Sequence, residues 1–88
     1  MKIKEHFVFQ EIAGDYLVVP IANEASHLNG IIKLNETGAL VWKEMMLKEC
    51  TKEELVKLIK EAFHVKTEIA EKDIENFLDT LERFGCLE

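Results

Sequence analysis

The rhythm of apolar and polar positions changes once along this chain, at Asn35. Before it the pattern is short and alternating. His6–Ile12 sets Phe7 and Phe9 against Val8 and Gln10, as in a strand with one aromatic face. Ala13-Gly14-Asp15 is a turn signal. Tyr16–Ile21 is a β-branched run in which Pro20, unable to donate to a central ladder, marks the strand's end or an edge. The two segments predict a hairpin. Ala22–Asn29 breaks the alternation with Asn23, Ser26 and Asn29 and predicts a loop that is long for a hairpin connection. Gly30–Leu34 then reads as a third strand, with Ile31, Ile32 and Leu34 favouring extended backbone.

After Asn35, a good N-cap, the period is helical. Ala39, Trp42, Met45 and Met46 predict a helix over Glu36–Leu47 with these residues on its core face. Thr51-Lys52-Glu53-Glu54 is a capping box, followed by a stripe of Leu55, Leu58, Ile59, Ala62 and Phe63. His64-Val65-Lys66 links to a last helix with Thr67 as its cap. Ala70, Ile74, Phe77, Leu78, Leu81 and Phe84 form its apolar face, and Gly85 stands where a left-handed residue ends a helix. The resulting fold class is α+β: a three-stranded antiparallel β-sheet followed by three α-helices, winged helix-turn-helix-like.

Composition narrows the function. Eighty-eight residues, 48% hydrophobic and 32% charged, predict one soluble domain over residues 1–88. The net charge of −6 argues against nucleic acid, whose binding draws on Lys and Arg, and the last helix is itself acidic through Glu71, Asp73, Glu75, Asp79 and Glu82. Cys50 and Cys86 are too far apart for a redox or zinc-ribbon pair and read as reduced, partly buried thiols. His6, His27 and His64 have no metal-ligand spacing. No catalytic constellation, phosphate-cradling glycine loop or cofactor motif is visible, so no cofactor is expected. The first residues lack the apolar core of a signal peptide and no run approaches a membrane span, which predicts a cytoplasmic protein without membrane attachment.

A three-stranded sheet has two edges, and Gly30–Leu34 carries only Lys33 as a blocking charge. An edge of this kind can accept an extended peptide as an added strand. The junction Leu34-Asn35-Glu36-Thr37-Gly38-Ala39 followed by Trp42 resembles the signature of PqqD-like proteins, the small peptide-recognition domains (RiPP recognition elements) that serve enzymes modifying ribosomally made peptides. Gly14–Pro20 and the closing Phe77-Leu78, Leu81, Gly85 and Leu87 are similar to the same family, and Gly30–Ala39 looks more like its broader membership than like the pyrroloquinoline quinone pathway.

The resemblance implies a peptide chaperone, not an enzyme. Its partners would be the leader segment of a precursor peptide and a modifying enzyme such as a radical SAM maturase. The leader would lie beside the third strand, at Ile31, Ile32, Lys33 and Leu34, with side chains in a groove against Asp73, Asn76, Phe77, Thr80 and Leu81 of the last helix. Two other classes remain on the residues alone: a winged-helix DNA-binding or regulatory domain, for which the acidic last helix is wrong, and a small enzyme.

Overall fold

The computed structural model describes residues 1–21 and 31–88. The loop expected over Ala22–Asn29, the placing of His27 and the opening of the third strand at Gly30 lie outside the described residues. Three strands, β1 (Phe7–Ile12), β2 (Asp15–Pro20) and β3 (Ile32–Leu34), precede three helices, α1 (Glu36–Leu47), α2 (Lys52–Phe63) and α3 (Thr67–Arg83). The sheet is antiparallel in the order β1-β2-β3. Ala13 and Gly14, with φ of 52° and 85°, form the two-residue turn that joins β1 to β2. Positive φ at both central residues matches the natural twist of a hairpin.

The register decides which backbone groups each strand offers. The Ile21 N–H donates to the His6 carbonyl at 2.8 Å, so this is a hydrogen-bonded position of the ladder. Hydrogen-bonded and non-bonded pairs alternate in an antiparallel ladder. Val8/Val19, Gln10/Leu17 and Ile12/Asp15 are therefore bonded, and Phe7/Pro20 is not, which is where a residue without N–H costs this ladder nothing. Tyr16 and Val18 turn their groups the other way, to Leu34 and Ile32 of β3. Lys33, opposite Leu17, then points its N–H and C=O away from the sheet. At the far edge Phe7, Phe9 and Glu11 do the same.

One face of the sheet packs on the helices. Val18, Ile32 and Leu34 meet Val41, Trp42 and Met45 of α1, Leu55 and Ile59 of α2, and Ile74 and Leu81 of α3 in a single core. Trp42 is completely buried and stands edge-on to Phe7, with ring centroids 6.3 Å apart. Cys50 and Cys86 are buried in the same core. Outside the named strands, Ile3 bridges Leu87, and the Glu88 N–H donates to the Lys2 carbonyl at 3.0 Å.

Both helix caps read from sequence are present for α1 and α2. The Asn35 side chain accepts from the Gly38 N–H at 2.7 Å, and Thr51 with Glu54 forms the reciprocal box. Gly85, with φ of 72°, follows the end of α3.

Three details differ from expectation. Met46 is half exposed, because Trp42 and Met45 already fill the core-facing side of α1 and the next residue lies about 100° further round the helix. In α2, Val56 is buried while Leu58 is only half-buried and Ala62 is exposed, since this helix packs against both α1 and α3 and its buried stripe widens at the start. Thr67 is the first residue of α3 and not its cap; Lys66 holds that position with no side-chain hydrogen bond.

Candidate functional site at the open edge of the sheet

Beside β3 the surface opens into a groove of about 310 Å³. Its strand side is Ile32, Lys33 and Leu34. Its far wall is α3, where Asp73, Asn76, Phe77 and Thr80 stand at the i, i+3, i+4, i+7 spacing of a single helical stripe. Seven of the nine residues expected from sequence thus line one concavity. Ile31 precedes the strand, 59% exposed and outside the groove, and Leu81 is fully buried in the core.

Sequence reading missed the floor. The first turns of α1 supply Thr37, Gly38 and Val41, and α2 supplies Ile59. The Asn35-Glu36-Thr37-Gly38 junction was visible as a helix start. What makes it also a groove floor is the way α1 runs directly out of β3 beneath α3, which spacing does not encode. Gly38 matters because of what covers it. A Cβ at this position would come within 3.1 Å of the Asn35 Oδ1 and 3.1 Å of the Phe77 Cε1. The missing side chain lets the ring lie on the helix start.

The groove combines two kinds of surface. Ile32, Leu34, Val41, Ile59, Ile74 and Phe77 are apolar, while Thr37, Asn76 and Thr80 offer amide and hydroxyl groups. The Thr80 hydroxyl donates to the Asn76 carbonyl at 3.0 Å, which fixes its rotamer. Asp73 is exposed and, among the described residues, has no cation within ion-pair distance. Lys33 reaches across to Asp15 at 3.3 Å, an exposed pair of small energetic weight. Above the apolar floor stand the outward N–H and C=O of Lys33. An added extended backbone can satisfy both groups as a pair.

Away from the groove, Glu54 is held below its ordinary 4.5, first by the Thr51 N–H donating to its carboxylate at 2.9 Å and then by the Lys48 ammonium at 3.3 Å. Burial pushes the Cys50 thiol up, opposed by Lys48. Its sulfur donates to the Lys48 carbonyl at 3.4 Å. Among the described residues no cluster of three metal-ligating side chains occurs, and no helix is long and apolar enough to cross a membrane.

Fold and groove define an α+β domain of three strands followed by three helices, whose last strand is, among the described residues, left open beside its last helix. The chain belongs to the family described as coenzyme PQQ synthesis protein D (PqqD), whose model matches residues 10–87. Among curated proteins, none matches the sequence. Two solved structures share the fold. TbiB1 in complex with the TbiA(beta) leader peptide superposes with a TM-score of 0.78 at 23% identity, covering 100% of this chain and 95% of that one. Lasso peptide synthetase B1 complexed with the leader peptide gives 0.75 at 14% identity, covering 97% and 93%.

Proposed function

We infer that this protein is a single peptide-recognition domain that binds the leader segment of a ribosomally made precursor as an added strand on β3 and presents it to a modifying enzyme. The observation that carries this reading is convergence: the one outward-facing residue of β3, Lys33, borders the same groove as the stripe Asp73, Asn76, Phe77 and Thr80. Family membership and the leader peptides held by two proteins of the same fold support it.

The domain works without chemistry of its own. An incoming strand exchanges N–H···O bonds with Lys33, and its residues on either side of that pairing turn their side chains towards Ile32 and Leu34, over the apolar floor. Asp73 favours a basic residue near that end of α3. The modifying enzyme, of the radical SAM maturase kind, supplies the reaction, and the cytoplasm is where precursor and enzyme meet.

The test is reconstitution with the full precursor and its maturase. Modification is expected to fall sharply when this protein is left out, and amide shifts on adding leader peptide are expected at Ile32–Leu34 and Asp73–Thr80. Equal processing without the protein, or shifts confined to α2, would refute the reading.

A further inference from the structure

Among the described residues the sheet has a second open edge. Along β1 the outward N–H and C=O groups of Phe7, Phe9 and Glu11 have no backbone partner among the described residues. Beside them, the second half of α1 shapes a groove of about 440 Å³, bordered by Phe7, Phe9, Trp42, Lys43, Met46 and Leu47. Met46 is 50% and Leu47 82% exposed, so two large apolar side chains stand in water along the rim. Exposed apolar surface bordering an open strand edge marks contact with another chain.

Two polar features sharpen the chemistry. Trp42 lines this groove, and its indole N–H is buried without an acceptor among the described residues. The Lys43 ammonium stands 5.1 Å from the Phe9 ring centroid and 6.0 Å from that of Tyr16, and no described carboxylate lies within ion-pair distance of it. The groove therefore holds a positive charge over aromatic faces, where the groove beside β3 carries Lys33, already paired with Asp15, and Asp73, which has no cation partner among the described residues.

We propose that the β1 edge, with the groove along α1, docks an extended apolar segment bearing a carboxylate, contributed by the modifying enzyme. The proposal rests on the reading of this protein as a presenter of peptide. Alternate outward N–H and C=O groups call for an extended polypeptide, Met46 and Leu47 for apolar side chains, and Lys43 for Asp or Glu. The unpaired charges of the two grooves differ in sign, which helps keep the occupants apart: a carboxylate suited to Lys43 is repelled by Asp73, and a basic leader residue by Lys43. A second copy of this chain fits less well. Two-fold pairing centred on Phe9 brings two Lys43 ammonium groups together and joins two chains of net charge −6.

The experiment measures two affinities on the same samples: leader peptide by fluorescence anisotropy, and the maturase of the reconstitution by biolayer interferometry. Lys43→Glu and Leu47→Asp change exposed side chains. Each is expected to weaken maturase binding at least about tenfold while leader affinity and circular dichroism stay as in the wild type. Hydrogen exchange at Phe7, Phe9 and Glu11 should slow when the maturase is added. Maturase binding unchanged in both variants overturns the proposal. Protection of those amides that grows with this protein's own concentration, in the absence of maturase, assigns the edge to a second copy and also overturns it. A wild-type protein that binds maturase at β1 but no leader upholds the edge and refutes the presenting role.

Discussion

The Phe77 ring rests on Gly38 so closely that a methyl group placed there would meet its Cε1 at 3.1 Å. This contact sets the depth of the groove beside β3, because Phe77 forms the wall and Gly38 the floor. Gly38→Ala gains helix propensity but forces the ring outward or the Asn35 cap aside. The expected result is a thermal midpoint near that of the wild type with leader affinity about tenfold lower, a loss of roughly 1.4 kcal/mol. Unchanged affinity by calorimetry would show that the ring does not set the groove.

Lys33→Pro and Ile32→Pro should separate binding from folding. The Lys33 N–H faces away from the sheet, so proline there removes the donor an added strand needs and no donor of the β2–β3 ladder. Ile32 bonds to Val18, and proline at that position should cost stability, about 1–3 kcal/mol through the acceptor left unpaired. Denaturant midpoints and leader titrations on both variants read the two effects. The pattern reversed would mean that the register of β3 is shifted by one.

Trp42→Ala is expected to destabilise the domain by about 3–5 kcal/mol, the usual cost of emptying a large core position. The side chain is completely buried against Phe7. Chelator and reductant, by contrast, should leave the melting curve unchanged, since the core closes through apolar contacts of the strands and helices. A neutral Trp42→Ala, or unfolding by either reagent, would contradict this account of the core.

The start of α2 carries a pH dependence of defined sign. Because the Glu54 carboxylate titrates below its ordinary 4.5 in the folded chain, its contribution is present above that pH and is lost as pH falls through the lowered value. The gap in thermal midpoint between wild type and Glu54→Ala should be steady near neutrality and narrow in acid. A gap that does not change with pH would show that the bonds from Thr51 and Lys48 do not discriminate the charged form.

Much of the fold was legible from local signals. The strand-to-helix junction at Asn35, the extent of α1 and the box at Thr51 all depend on residues within a few positions of one another, and those interactions are local in space too. The groove was legible in part. Asp73, Asn76, Phe77 and Thr80 share a stripe by helical spacing alone, and Lys33 stood out as the sole charge of its strand. Leu81 belongs to the same face by spacing, but α3 leans on the core there, and only tertiary packing separates a wall residue from a buried one. Thr37, Gly38, Val41 and Ile59 join the site through the crossing of α1 and α2 beneath α3, and no pattern along the chain records that crossing.

β3 is only three residues long, with a single residue facing outward. If a guest strand is added there, two backbone bonds at roughly 0.5–1.5 kcal/mol each would leave most of the grip to side chains in the groove. Such a hold is quick to let go. Among related complexes the strength of binding is governed mainly by the rate of departure, so, for a protein that presents peptides, a strand this brief would suit discharging one finished peptide and taking up the next.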